Sequence, residues 1–91
     1  MPTLKLPQPL RTYTRGESLL QLNGGTVREM LADLTVTYPD LKPHLYTKKG
    51  ELAAFVHLFL HEEDIRNQQG LDTPLDPDDQ LILVPSISGG A

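Results

Sequence analysis

Hydrophobic positions along the 91-residue chain follow first one period and then another, and the changes of period divide it into elements. Leu4 and Leu6 lie two apart in Thr3 to Leu6, which puts both on one face of a short strand closed by Pro7 and Pro9. Glu17 to Leu22 predicts a second strand, ended by the turn Asn23-Gly24-Gly25, so the chain would open with a hairpin. Thr26-Val27-Arg28-Glu29 has the spacing of a capping box. The Thr26 hydroxyl would accept from the Glu29 amide, and the Glu29 carboxylate would reach back to the Thr26 N–H. Val27, Met30, Leu31, Leu34 and Tyr38 then recur at helical steps, giving one apolar face on a helix stopped by Pro39.

From Asp40 to Glu51 the pattern is irregular and predicts a surface loop with a short helical turn around Leu41 to Tyr46. Phe55 to His61 alternates as a strand, with Val56, Leu58 and Leu60 toward the core and Phe55, His57, Phe59 and His61 on the other face. Glu63 to Arg66 reads as a short return strand, Gln68-Gln69-Gly70 as a turn, and Asp76-Pro77-Asp78-Asp79 as the turn into a last strand, Gln80 to Val84. This order gives a mixed sheet with one main helix across one face, an α+β roll for which the β-grasp is the natural candidate. Its last strand would lie beside the first in the sheet centre, where burial on both faces would account for the continuous run Leu81-Ile82-Leu83-Val84. The expected core is Val27, Met30, Leu31, Leu34, Val56, Leu58, Leu60, Leu81 and Leu83. Residues 1–84 form one domain, and 85–91 a flexible tail ending Gly89-Gly90-Ala91.

Composition narrows the functions open to such a domain. Cysteine is absent, which removes disulfides, thiolate metal sites and thiol nucleophiles. The net charge is −4, and beyond Gly50 eight acids face Arg66 as the only Lys or Arg, so that half would repel a phosphate backbone. Nucleic-acid binding is set aside on that ground, and an acidic surface suits a basic protein partner. No apolar stretch approaches the ~20 residues of a membrane span, and the N-terminus lacks the plan of a signal peptide, so the expected compartment is the cytoplasm.

Candidate catalytic and metal groups do not assemble. His57 and His61 lie four apart, but in a strand that separation is about 13 Å, too far for one coordination sphere. Asp76, Asp78 and Asp79 lack the later ligands of a calcium loop, and turn chemistry explains aspartates beside a proline. Ser86 and Ser88 stand in the tail without an ordered base, and neither Gly-Gly pair has the spacing of a phosphate loop. No resident cofactor and no metal are expected, and the chain reads as something other than an enzyme. What remains is the tail. Two glycines without Cβ atoms can extend through a narrow enzyme channel and leave a terminal carboxylate open to chemistry. The apolar outer face of the sheet, Phe59 with Ile82 and Val84, is the expected docking patch for a partner.

These features together resemble the MoaD/ThiS family of ubiquitin-like sulfur carriers, nearest to its CysO branch. The run from Asp79 to Gly90 is similar to the family's ending: an acid opening a hydrophobic strand, then proline, a short apolar and small step, and Gly-Gly. Glu63-Asp64-Ile65-Arg66 followed by Gly70-Leu71 resembles the short fourth strand and its turn, and Thr26 to Leu34 the helix entry. The resemblance implies that an ATP-dependent, ubiquitin-activating-type enzyme adenylates the Gly90 carboxylate and that a sulfur donor converts it to a thiocarboxylate. Ile87, Ser88 and Gly89 would thread the partner's channel. A sulfur-accepting synthase would then receive the sulfur, for cysteine in the CysO branch and for molybdopterin or the thiamin thiazole in the others. Two departures stand out. Ala91 follows the glycines, so a metal-dependent peptidase would have to cut between Gly90 and Ala91 first, and the turn His61-Glu62-Glu63 lacks the glycine many relatives place there. A ubiquitin-like modifier joined to lysines, or a non-reactive β-grasp interaction module, are the alternative readings.

Overall fold

In the computed structural model, which describes residues 1–85, a mixed five-stranded sheet carries one long helix across one face. The strands are β1 (Thr3–Lys5), β2 (Leu19–Gln21), β3 (Val56–Leu60), β4 (Glu63–Asp64) and β5 (Gln80–Pro85). The helices are α1 (Val27–Thr37) and the single turn α2 (Lys42–Leu45). Sheet order is β2-β1-β5-β3-β4, with β1 and β5 parallel and every other pair antiparallel. The last strand therefore occupies the centre beside the first, which is the β-grasp arrangement expected.

The apolar stripe of α1 faces the sheet: Val27, Met30, Leu31 and Leu34 are all completely buried. Opposite them Leu4, Val56, Leu58, Leu60, Leu81 and Leu83 project inward, so all nine residues expected in the core are there. At the helix start the Thr26 hydroxyl accepts from the Glu29 N–H at 3.2 Å, as expected of the cap. The reciprocal half differs. Glu29 Oε1 accepts from the Gly25 N–H at 2.7 Å, one residue earlier than a capping box requires. Gly24 allows that entry: it has φ of +152°, and a Cβ there would lie 2.5 Å from the Met30 amide nitrogen. Val27 N–H donating to Thr73 O, and Leu75 N–H to Gly25 O, fasten the helix start to the segment that feeds β5.

Several expected boundaries move, each for a local reason. β1 stops at Lys5 and β2 spans only Leu19–Gln21, since Glu17 N–H is drawn to Thr14 O in the preceding loop. The link between them is a 3-10 helix, Gln8–Thr14, which alternation did not foreshadow. Its buried Thr14 donates to Glu17 O at 2.8 Å. β3 begins at Val56, because Val56 N–H closes a turn on Ala53 O that leaves Phe55 outside the strand, 51% exposed. The return strand ends at Asp64, whose carboxylate accepts from the Arg66 N–H at 2.9 Å and opens a 3-10 turn, Ile65–Asn67. In the segment from Asp40 to Glu51 the helical turn expected around Leu41 to Tyr46 is present as α2, preceded by a 3-10 turn, Pro39–Leu41, but the segment is not confined to the surface, since Leu41 and Leu45 enter the core. β5 runs one residue past Val84, to Pro85.

The most consequential correction concerns β5 itself. Leu81 and Leu83 are buried, whereas Ile82 and Val84 are 38% and 42% exposed. The run is thus buried on one face only, because α1 covers one side of the sheet and no described element covers the other. The Leu-Ile-Leu-Val run hides a strict alternation that hydropathy cannot display.

Candidate functional site: the sheet centre and its open face

β5 leaves the sheet between two neighbours, β1 and β3, and Pro85 still pairs with Val56 at its end. Leu81 and Leu83 lock its inner side, so whatever follows Pro85 starts from a fixed point. Gly90, Gly89, Ser88, Ile87 and Ala91, the residues expected to carry or gate the chemistry, lie outside the described residues.

Register assembles the open face. Leu19 pairs with Lys5, Lys5 with Ile82, Ile82 with Phe59, and Phe59 with Asp64, so five side chains from five strands form one row. Val84 pairs with His57 in the next row. Phe59, Ile82 and Val84, the three residues expected as a docking patch, are thereby brought together. Phe59 is half-buried, and Leu19 extends the patch, 54% exposed. Lys5 and Asp64 supply opposite charges within the row. Leu19, Lys5 and Asp64 were missed as patch residues because only the strand order places them beside Ile82 and Phe59.

At the β4 side the face ends in a polar cluster. His57 Nδ1 lies 3.3 Å from Asp64 Oδ2 and 3.1 Å from Arg66 Nη1. One nitrogen cannot serve both: with a proton it donates to Asp64, and without one it accepts from Arg66. Arg66 is anchored besides, donating to Ala54 O at 3.1 Å and Val56 O at 2.8 Å. Burial pushes the Asp64 carboxyl up, but the Arg66 N–H, the His57 imidazole and the Arg66 charge outweigh it and hold the group below its ordinary value of 3.8.

The β3–β4 hairpin has the two-residue loop His61-Glu62, both at positive φ, +55° and +67°. That is the sign pattern of a type I′ turn, normally filled by glycine or asparagine. The expected lack of glycine is therefore borne by two ordinary residues in a left-handed conformation. A contact outside the hairpin braces it: His61 Nε2 lies 2.9 Å from Asp79 Oδ1. Asp79 also accepts from the Asp76 N–H at 2.8 Å, which, with His61, holds its carboxyl below 3.8 against the upward push of burial. The two histidines thus serve separate carboxylates, and among the described residues no group of three or more His, Asp or Glu is placed to hold a metal ion.

On the helix side of the Pro85 exit is an apolar cleft of about 270 Å³, lined by Leu10, Pro43, His44, Phe55 and Leu83 among others. The Tyr13 ring packs on His44 at a centroid distance of 4.4 Å.

A family model described as the ThiS family matches residues 4–90, from β1 through the glycine pair. The chain belongs to the ThiS family of ubiquitin-like sulfur carriers. It is 29% identical over 90 residues to the sulfur carrier protein CysO of Mycobacterium tuberculosis, with 97% of each chain covered. Among solved structures it is similar to a chain of the Amycolatopsis orientalis BexX/CysO complex, with a TM-score of 0.87, 30% identity and coverage of 99% of this chain and 100% of that one. It also resembles the small archaeal modifier protein 1 (SAMP1) of Methanosarcina acetivorans, with a TM-score of 0.85, 33% identity and coverage of 98% and 95%. Members of the ThiS family of this type are small carriers rather than enzymes, and this chain is one of them.

Proposed function

We propose that the chain carries sulfur as a thiocarboxylate on Gly90 and hands it to a biosynthetic enzyme. The observation that carries this reading is the glycine pair following the central strand by three residues, within a chain matched to the ThiS family through residue 90. In the proposed cycle the Gly90 carboxylate attacks the α-phosphorus of ATP held by an adenylating partner and releases pyrophosphate. A donor protein's persulfide then attacks the acyl carbon and AMP departs, and a second thiol, acting as reductant, cleaves the S–S bond of the resulting acyl disulfide, which leaves the thiocarboxylate on Gly90 and a disulfide on the donor side. Glycine suits the reacting position, since a methyl group there would crowd a channel fitted to a bare backbone. Cysteine is the proposed end product, on the likeness to CysO, and the cycle is assigned to the cytoplasm.

Ala91 makes the chain as written a latent form. Adenylation needs a free carboxylate, and that of Gly90 is tied in an amide while Ala91 remains. Removal by a metal-dependent peptidase would precede activation. The test is pyrophosphate exchange with the cognate adenylating enzyme, on a chain ending at Gly90, the chain ending at Ala91, and a Gly90→Ala variant lacking residue 91. Exchange is expected only with the first. Equal exchange with the Ala91 chain would end the latency idea.

A second reading rests on the likeness to SAMP1, a modifier protein. Here a lysine amine attacks the same activated Gly90 and leaves an isopeptide bond. Intact mass of the chain from its native host separates the two. An oxygen-to-sulfur exchange on a chain ending at Gly90 supports the carrier, and lysine-linked Gly90 in a digest of cell protein supports the modifier.

A further inference from the structure

β2 is the outermost strand on its side of the sheet. Its hydrogen-bond phase is set by Leu6 N–H donating to Ser18 O at 2.8 Å and Leu22 N–H donating to Pro2 O at 3.1 Å. Antiparallel pairs bond at alternate residues. Ser18, Leu20 and Leu22 therefore turn their backbone groups toward β1, and Leu19 and Gln21 turn theirs away. Among the described residues nothing bonds an N–H or C=O of Leu19 or Gln21 outside the sheet ladder. The next outward N–H, that of Asn23, is already taken by the Asp33 carboxylate of α1 at 2.9 Å.

Beside this edge lies a groove of about 330 Å³ whose lining includes Leu20, Leu22 and, from α1 and its end, Thr37 and Tyr38. Its charged lining residues are Glu17 and Asp33, both acidic. We infer that the groove binds an extended, basic segment of a partner protein, added to the sheet as a sixth strand alongside β2.

A strand seated there would lie about 4.8 Å from β2 and exchange hydrogen bonds with Leu19 and Gln21. Its alternate side chains would face α1, so lysines or arginines four positions apart meet Glu17 and Asp33, with the residue midway between them, on the same face, an apolar one near Leu20 and Leu22. Charge also decides against a second copy of this chain, which would bring its own Glu17 and Asp33 to the same place. β2 is two strands from β5, roughly 10 Å, so the seated segment leaves Ile82, Phe59 and the Pro85 exit uncovered. One partner could hold the domain while another works at the sheet centre. The inference stands on the edge and the groove and does not depend on the thiocarboxylate reading.

The experiment is a titration of the full 15N-labelled chain, followed by amide shifts, with acetyl-Thr-Lys-Val-Ile-Val-Lys-Thr-amide and with its counterpart carrying glutamate for lysine. The amides of Leu19 and Gln21 are expected to move, with half-saturation at a concentration at least ~10-fold lower for the lysine peptide. Gln21→Pro deletes an outward donor while leaving the bonds of Leu20 and Leu22 to β1, and is expected to weaken binding by about 10-fold or more. Should the proline variant not fold, Glu17→Lys serves in its place, and it should narrow or reverse the preference between the peptides. Equal binding of the two peptides, no shifts at about millimolar peptide, or shifts centred on Phe59 and Ile82 would overturn the inference. So would a peptide-independent dimer that Glu17→Lys strengthens, which would assign the edge to a second copy.

Discussion

The two sides of β3 and β5 are made of similar residues and have opposite fates. On one side Val56, Leu58, Leu60, Leu81 and Leu83 are at most 2% exposed, sealed beneath α1. On the other, Ile82 and Val84 stand open beside a half-buried Phe59. Hydropathy cannot tell these sets apart, because what buries a strand residue is the layer above it and, among the described residues, this sheet has one such layer. The inner set stabilises the fold. The outer set keeps apolar side chains in water on the strand that leads toward Gly90, the residue proposed to react, and exposed apolar clusters of this kind suit the binding of a partner.

The comparison breaks first, and by the largest margin, at the inner side. Leu58→Ala is expected to lower stability by about 2–5 kcal/mol in denaturant titration, through lost transfer energy and a residual cavity. A loss near that of a surface change would mean the inner side is not the core.

Next in size is Asp79→Ala, which removes acceptors from the Asp76 N–H and the His61 ring and should cost roughly 1–2 kcal/mol near neutral pH. The pH dependence sharpens this. Asp79 and Asp64 both titrate below their ordinary value of 3.8 in the folded chain. Their contribution is therefore complete above the unfolded value, near pH 4, and is lost as acid carries the pH down through the lower folded values. Melting temperatures from pH 6 to pH 2.5 should fall less steeply in Asp79→Asn with Asp64→Asn than in the parent. Parallel curves would show that neither carboxylate is specially held.

A smaller effect, of opposite sign, is expected at the hairpin. Glu62 sits at φ +67°, and its side chain has no hydrogen bond among the described residues, so Glu62→Gly should stabilise by about 0.5–1 kcal/mol. A destabilised variant would place an unseen role on the Glu62 side chain.

The smallest change in stability is expected on the outer side. Phe59 faces Asp64 across the β3–β4 ladder, so an acid at 59 would meet a like charge, and Phe59→Lys is the cleaner substitution. It should alter stability by less than about 1 kcal/mol while weakening binding to the adenylating partner at least tenfold, about 1.4 kcal/mol. Partner binding unchanged in calorimetry would remove Phe59 from the docking surface.

Much of the inner side was legible in the chain. Thr26 marked the helix start, the three- and four-residue steps from Val27 to Leu34 marked its face, and Val56, Leu58 and Leu60 kept a clean period of two. The outer side was legible only in part. Phe59, Ile82 and Val84 could be named, but their company of Leu19 and Lys5 comes from register across strands distant in sequence, which no local period encodes. The 3-10 helix Gln8–Thr14 was hidden by its two flanking and internal prolines, which read as strand punctuation. Leu41 and Leu45 were hidden because a four-residue helix is too short to show a stripe. The bracing of His61 by Asp79 joins two turns eighteen residues apart and left no mark in either.

The pairing of β1 with β5 also governs when the domain can exist. Residues 3–5 meet residues 80–82 at the middle of the sheet, so nearly the whole chain must be in hand before the central ladder closes. Until then the inner faces of β1, β3 and α1 have no complete layer to rest on, and closure must bear the entropy of the longest loop the chain contains. Any fragment ending before Gln80 is accordingly expected to stay unfolded, and the distant β1–β5 pairing is expected to slow folding of the whole chain. A domain so arranged presents its central strand only as a finished object, and an enzyme that recognises the Ile82 and Phe59 row would meet complete molecules alone.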